Sequence, residues 1–227
     1  MRAHILEHDP DETIGSIGDW LERCQARVRR TRVFAGEPLP DPADADLFVL
    51  MGGMMSVNDE PTLPWITAEK SFIRDVIARE TPLLGICFGS QIIASALGAV
   101  IRRSPDPEHG WFPIEREGTH TNRFNFPSAC VVFHSHGDAF DLPPGAARLA
   151  RSAACPNQAF QVGRRVMGIQ FHLESTPESA RIIAEECADE SPPGPYVQPV
   201  ETLRAVPASA YAESVRLMGE VLNYLTA

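Results

Sequence analysis

The chain has 227 residues, of which 44% are hydrophobic and 22% are charged, as in an ordinary globular protein. Its formal net charge of −10 argues against a nucleic-acid partner, because phosphates repel an acidic surface. It has neither an apolar run of about 18 residues, long enough to span a membrane, nor the apolar core of a secretion signal. We therefore expect a cytoplasmic protein with no membrane partner.

Short apolar runs alternate with helical patterns through the first hundred residues. The predicted strands are Ala3–Leu6, Thr31–Ala35, Asp46–Met51 and Pro82–Cys87. The first predicted helix has an apolar face made of Ile14, Ile17, Leu21, Cys24 and Val28. Two more predicted helices cover about Leu63–Arg79 and Ser90–Leu97, the latter ending at Gly98. Such alternation is typical of an α/β fold with a mostly parallel central sheet and helices on both faces.

The second half of the chain has a different pattern, in which turns join the strands. The predicted strands are Ala99–Arg102, Trp111–Glu115, Ala129–His134, Ala159–Val162 and Val166–Phe171, with a hairpin tip at Gly163-Arg164. These indicate an antiparallel or mixed extension of the sheet. Thr176 and Pro177 predict the N-cap and first turn of a helix reaching Cys187.

We expect residues 1–190 to form one domain in three layers. A Pro-rich connection begins at Ser191, and a last helix covers about Ala208–Leu225. This helix has an apolar stripe that either packs back on the same domain or serves a partner; its residues are Val215, Met218, Leu222 and Leu225.

The five cysteines show neither disulfide nor zinc-site spacing. Their number is odd and no two form a C-x-x-C pair, which suggests neither a disulfide framework nor a zinc site. We expect no metal and no cofactor. Cys87 stands apart, because it lies where an apolar strand meets a helix, with Gly85 and Gly89 two residues away on each side. This is the spacing of a nucleophile elbow with sulfur in place of oxygen. The N-terminus of the following helix would favour the thiolate, so Cys87 is a candidate nucleophile.

A thiolate nucleophile needs a base, and His172 at the end of an apolar strand is the candidate. Glu174 projects to the same side of an extended backbone and could fix the imidazole tautomer. An acyl-transfer oxyanion needs backbone donors, for which the amides of Gly53 and Phe88 are candidates. The Gly52-Gly53 pair follows a central strand, at the sheet edge where open α/β sheets bind ligands.

Taken together, these segments resemble the class I, triad-type glutamine amidotransferase family. The landmarks occur in the family's order: Met51-Gly-Gly53, Gly85-Ile-Cys-Phe-Gly-Ser-Gln91, Ser135-His-Gly-Asp138 and Phe171-His-Leu-Glu174. The stretch from Phe133 to Gly145 looks most like stand-alone proteins similar to the amidotransferase domain of GMP synthase. The resemblance implies a flavodoxin-like α/β fold.

The resemblance also implies an activity. Cys87, His172 and Glu174 would hydrolyse the side-chain amide of glutamine through a γ-glutamyl thioester, releasing ammonia. The same matching implies that Gly52, Gln91 and the backbone around Ser135 and His136 hold the substrate. Met54 departs from the family pattern, since many relatives have proline there.

Three interpretations of the biological role stay open at this point. The ammonia could pass to a separate synthase, because the chain has no nucleotide-binding signature of its own. The protein could instead hydrolyse other γ-glutamyl amides or peptides alone. From a different class, it could be a non-catalytic regulatory or binding module with the same fold.

Overall fold

A nine-stranded mixed sheet forms the centre of the protein. The computed structural model describes residues 1–186 and 193–227. The strands are β1 (Arg2–Glu7), β2 (Arg27–Arg32), β3 (Leu47–Leu50), β4 (Leu83–Ile86), β5 (Ile101–Arg116), β6 (Ala129–Phe140), β7 (Ala147–Arg151), β8 (Ala159–Val162) and β9 (Val166–Ile169). Their order is β2-β1-β3-β4-β9-β8-β7-β5-β6. The five strands from β2 to β9 are parallel, and the other four continue the sheet with antiparallel pairing.

Helices cover both faces of the sheet, which confirms the predicted α/β architecture. They are α1 (Gly15–Arg23), α2 (Trp65–Ala78), α3 (Phe88–Ala96), α4 (Pro177–Glu186), α5 (Val200–Arg204) and α6 (Ala208–Thr226). Apolar residues of α1 and α6 share one buried cluster with alternate residues of the central strands, whereas α2 and α3 share the other. Among the described helices, none combines the length and the apolar content that crossing a bilayer requires.

Helix α6 lies against α1 on the first of these faces. Leu217, Leu222 and Leu225 are fully buried there and belong to the same apolar cluster as Leu21 of α1. The indole nitrogen of Trp20 donates a hydrogen bond of 2.9 Å to Asn223 Oδ1. The C-terminal helix therefore contributes to the main core of the fold.

The predicted boundary between the first helix and the second strand is wrong. α1 ends at Arg23, and Val28 belongs to β2 instead of the helix. Gln25 has a φ of 50°, which stops the helix and turns the chain into the sheet. The predicted strand at Thr31–Ala35 is replaced from Val33 by a turn of 3₁₀ helix.

Two further differences concern the antiparallel half of the sheet. The predicted strands Ala99–Arg102 and Trp111–Glu115 are parts of one strand, β5, whose pairing with β6 shifts register between Arg103 and Glu108. Pro105 and Pro107 lie inside this irregularity, where their missing N–H groups cost no ladder bond. Strand β7 was not predicted.

The predicted hairpin tip and helix cap are both confirmed. Gly163 has a φ of 57° between the antiparallel strands β8 and β9. Thr176 Oγ1 accepts a hydrogen bond of 3.2 Å from the backbone N–H of Ser179 at the start of α4. The predicted end of this helix at Cys187 and the predicted start of the Pro-rich connection at Ser191 lie outside the described residues.

Candidate active site

Cys87 lies at the tight turn between β4 and α3. Its φ of 49° and ψ of −109° are strained values for a residue with a side chain. Glycines on both sides make the turn possible. A Cβ atom at Gly85 would overlap the carbonyl group of Gly89, and one at Gly89 would overlap the carbonyl group of Leu50. The local structure is the strand-turn-helix expected from the sequence.

His172 and Glu174 form a buried pair just beyond the end of β9. His172 Nδ1 and Glu174 Oε1 are 2.7 Å apart, and the two residues are 1% and 2% exposed. Burial would lower the pKa of His172, but the charge of Glu174 and the adjacent Cys87 raise it well above its usual range. The pair therefore favours a protonated imidazole beside the sulfur.

The second ring nitrogen of His172, Nε2, is buried. Within the described chain it has no hydrogen-bond partner. Cys87 is the second neighbour, after Glu174, that raises the pKa of His172, although the thiol and the ring do not form a well-directed hydrogen bond. The arrangement leaves Nε2 able to exchange a proton with the sulfur or with a group bound beside it.

Two further groups lie beside the Cys87 sulfur. The carbonyl oxygen of Ser135 and the amide nitrogen of Gln170 are each 3.6 Å from Sγ. Gln170 was not identified from the sequence. It comes two residues before His172, so the alternation of an extended chain could have indicated it.

The candidate oxyanion donors are Gly53, which lines the same cavity as Cys87, and Phe88, which follows Cys87 in the chain. Within the described structure, the backbone N–H groups of Gly53 and Phe88 make no hydrogen bond to protein. His8 contacts the segments that carry both donors: its Nδ1 is 2.9 Å from the carbonyl oxygen of Met51, and its ring packs on Phe88. His8 is fully buried, and its Nε2 is 2.9 Å from Glu69 Oε1.

The residues expected to bind substrate occupy two different positions. Ser135 lines the cavity in front of Cys87, together with Gly53 and His172. Gln91 does not line this cavity, and its amide nitrogen is 3.1 Å from Gln170 Oε1. The His136 side chain points away from the cavity, and its Nε2 is 3.2 Å from Glu108 Oε2. His136 does not line the cavity in front of Cys87.

The sequence reasoning missed three acidic residues in the cavity wall. Asp9, Asp11 and Glu12 follow β1 and line the same cavity as Cys87 and His172. Glu12 also packs against Gly52, since a Cβ atom at Gly52 would overlap the Glu12 carboxylate. Burial raises the pKa of Glu12 to about 7. The available signal was an acidic run at the carboxyl end of a predicted parallel strand.

Two groups of described side chains could hold a metal ion. Glu108, His134 and His136 form a buried group, and burial lowers the pKa of His134 to about 3, so its ring is neutral. Glu12 forms the second group with His172 and Glu174. This second group coincides with the candidate catalytic pair.

Comparisons with known proteins bear on the family of the chain. The family described as glutamine amidotransferase class-I matches residues 17–188. The chain is 35% identical to the glutamine amidotransferase-like protein YfeJ of Salmonella typhimurium over 197 residues, which cover 84% of this chain and 82% of that one. It is 37% identical to a glutamine-hydrolysing GMP synthase of Aeropyrum pernix over 69% of this chain, but this match spans only 31% of that enzyme.

A solved structure gives the same result for the fold. The crystal structure of a glutamine amidotransferase from Methylobacillus flagellatus superposes with a TM-score of 0.91. The alignment covers 99% of this chain and 93% of that one at 27% identity. Since the profile match, the relatives and the fold all agree, the chain belongs to the class-I glutamine amidotransferase family.

Proposed function

We propose that the protein hydrolyses the γ-amide of glutamine, or of a related γ-glutamyl compound, with Cys87 as nucleophile. The observation that carries the proposal is the adjacency of three groups: the strained, glycine-flanked Cys87, the ring of His172, and the 2.7 Å contact from that ring to Glu174. A nucleophile, a base and an orienting carboxylate are the three parts that nucleophilic amide cleavage needs.

In the first half of the reaction, the Cys87 sulfur attacks the γ-carbonyl carbon. The oxygen takes up negative charge, which the N–H groups of Gly53 and Phe88 would stabilise; their lack of a protein partner in the described structure supports this role. His172 then gives its proton to the amide nitrogen, the C–N bond breaks, and an amine or ammonia leaves. A γ-glutamyl thioester remains on Cys87.

Water completes the cycle. His172, now neutral, accepts a proton as the water attacks the thioester carbon. The C–S bond breaks and glutamate leaves, which restores the Cys87 thiolate beside the protonated His172. Glu174 orients the ring and stabilises the imidazolium whenever it forms.

A direct test combines ammonia release from glutamine with labelling by 6-diazo-5-oxo-norleucine, a glutamine-like electrophile. We expect one adduct on the wild type, mapped by mass spectrometry to Cys87 and absent from Cys87→Ser. Cys24→Ser is the matched control, because Cys24 is an exposed thiol outside the cavity. It should keep both labelling and turnover.

The competing interpretation is a binding module that kept the fold without turnover. It would be supported if the folded wild type bound glutamine but formed no adduct and released no ammonia from any γ-glutamyl compound. The same assay is repeated with added cell extract, because a separate ammonia-accepting synthase could be needed for turnover. If such a partner binds, the extract should increase ammonia release.

A further inference from the structure

A second buried cluster of ionisable side chains lies on strands β5 and β6, outside the lining of the cavity in front of Cys87. Its members are Glu108, His134 and His136, and each of these side chains is at most 1% exposed. One possible ligand atom from each residue lies within 4.8 Å of the other two. The proposed reaction uses none of the three side chains, so their burial needs a separate explanation.

The pairing of the two strands places the cluster on one face of the sheet. Glu108 is directly opposite His136 in the antiparallel register of β5 and β6. Opposite residues share a face, with Cβ atoms about 4.5–5.5 Å apart. His134 comes two residues before His136, and alternate residues of a strand point to the same side. Three side chains that can bind a metal are thus held together by regular backbone rather than by a loop.

The ring of His136 has the orientation of a histidine prepared to bind a metal. Its Nδ1 is 3.1 Å from the carbonyl oxygen of Asp138, so Nδ1 carries a proton and donates it. Its Nε2 is 3.2 Å from Glu108 Oε2. A ring with only the Nδ1 proton directs a lone pair at a carboxylate oxygen, and a cation between the two atoms would turn this repulsion into attraction.

A simple ion pair between protonated His136 and Glu108 would leave the rest of the cluster unsatisfied. Within the described chain, neither Glu108 Oε1 nor a ring nitrogen of His134 makes a well-directed hydrogen bond, although the Phe112 backbone lies near the ring. Burial lowers the pKa of His134 to about 3, so its neutral ring has a free lone pair. Buried polar atoms are seldom left without a partner, and here they converge on one point.

The distances within the cluster fit a zinc ion. Zn²⁺ binds imidazole nitrogen and carboxylate oxygen at about 2.0–2.2 Å, usually in a tetrahedron, whose ligand atoms are then about 3.3–3.6 Å apart. The two carboxylate oxygens of Glu108 are 3.7 Å from His134 Nδ1 and 3.2 Å from His136 Nε2. Imidazole suits zinc, whereas Mg²⁺ and Ca²⁺ prefer a shell made of oxygen atoms.

Gln158, just before β8, offers a fourth ligand. Its Nε2 is 2.5 Å from Glu108 Oε2 and 3.4 Å from His136 Nε2. Its Oε1 is buried and accepts no hydrogen bond from the residues that the structure describes. A half-turn of the amide would exchange the two atoms and present the oxygen to the same space. The cluster can therefore supply the four ligands of a closed structural zinc site.

We propose that Glu108, His134 and His136 bind a structural Zn²⁺ ion, with Gln158 as the fourth ligand. Cysteine spacing could not indicate this site, because the site contains no cysteine. The sequence signal is instead the His-x-His pattern of a strand, opposite a glutamate of the neighbouring strand.

The proposed zinc site adjoins the candidate active site along β6. Ser135 separates the two histidines in the chain and lines the cavity in front of Cys87. Its carbonyl oxygen is 3.6 Å from Cys87 Sγ. A metal bound by both neighbours of Ser135 would therefore stabilise this part of the cavity wall.

The test measures metal binding by the full chain without a histidine tag. After dialysis against EDTA, the protein is reconstituted with Zn²⁺ or with Co²⁺ alone. We expect about one tightly bound ion per chain and a higher melting temperature with zinc. The Co²⁺ form should show the visible bands of a tetrahedral site without a near-ultraviolet sulfur-to-metal band, since no cysteine is a ligand.

Two variants locate the ion. Glu108→Gln and His134→Phe should each weaken Zn²⁺ binding at least about 100-fold, because each removes one of the protein ligands. Phenylalanine suits position 134, whose ring lies among the rings of Phe112 and Phe171. Without metal, His134→Phe should melt no lower than the wild type, because it removes two buried nitrogens that lack a partner. Loss of binding in this variant is then separate from loss of the fold.

Two controls should keep the ion. His120→Gln removes a histidine outside both groups of possible metal ligands, and Glu174→Gln removes a ligand from the second group. The proposal is overturned if the wild type binds no stoichiometric Zn²⁺, or if a sulfur-to-metal band appears. It is also overturned if Glu174→Gln loses the ion while His134→Phe keeps it, since the metal then lies at the catalytic pair. These readouts do not depend on turnover, so failure of the proposed function is a distinct result.

Discussion

Replacing Glu174 by glutamine removes one charge from the buried pair while keeping its shape. The substitution weakens the 2.7 Å hydrogen bond between Glu174 Oε1 and His172 Nδ1, two residues that are almost fully buried. A hydrogen bond to a charged group contributes about 1.5–3 kcal/mol. At about 1.36 kcal/mol for each factor of ten, kcat/KM should fall about 10-fold to 150-fold. Cys87→Ala and His172→Ala should fall much further, because an orienting group is partly replaceable.

The pH profile gives a second readout of the same change. The charge of Glu174 raises the pKa of His172, so the imidazolium that protonates the leaving group persists to higher pH. In Glu174→Gln that pKa falls, and the alkaline limb of kcat/KM should move to lower pH. A change in folding alone would lower the amplitude without moving the limb.

The assay is ammonia release from glutamine between pH 5 and 10, with folding checked by circular dichroism. Glu178→Gln is the matched control, since Glu178 is exposed in the first turn of α4. The reasoning is refuted if Glu174→Gln stays within twofold of the wild type and keeps the same alkaline limb. It is equally refuted if Glu178→Gln shows the same loss.

Two further predictions concern stability and can be measured by urea unfolding. Gly89→Ala should destabilise the protein by more than about 1 kcal/mol, because the new Cβ overlaps the Leu50 carbonyl group. Gly219→Ala is the control and should be neutral or stabilising, since its Cβ has no neighbour nearer than 3.9 Å. Similar changes in stability for the two variants would contradict the geometry of the turn. Leu222→Ala should lower the free energy of unfolding by about 2–5 kcal/mol while keeping a single transition, since Leu222 is fully buried in the main core. A separate early transition would show instead that α6 unfolds on its own.

The sequence was most informative where one physical requirement leaves few choices. The strained turn at Cys87 tolerates only small neighbours, so the two glycines predict the strand-turn-helix directly. The parallel strands β3 and β4 are buried on both faces and read as continuous apolar runs. Thr176 could be identified as a cap because its hydroxyl satisfies a free helix N–H.

Features that depend on long-range contact could not be predicted in the same way. Strand β2 is an edge strand with a single buried residue, Thr31, so it lacks the alternation by which strands are recognised. The position of Asp9, Asp11 and Glu12 in the cavity lining also depends on long-range contacts. The chain brings Glu12 to Glu174 through the start of α1, where the backbone N–H of Ser16 donates a hydrogen bond of 2.9 Å to the Glu174 carbonyl. The acidic run after β1 could have indicated a place at the ligand-binding edge of the sheet, but not the approach of Glu12 to Glu174.

Strand β2 has a consequence for how copies of this protein meet one another. It pairs only with β1 in the described sheet, so its outer side presents unpaired backbone groups that could template another strand. Its arginines are exposed: Arg27, Arg29, Arg30 and Arg32. A second copy docking there edge to edge would align two rows of guanidinium groups, whose mutual repulsion opposes growth of the sheet. Arg30 and Arg32 are paired with Glu7 and Glu37, so we expect this repulsion to come mainly from Arg27 and Arg29.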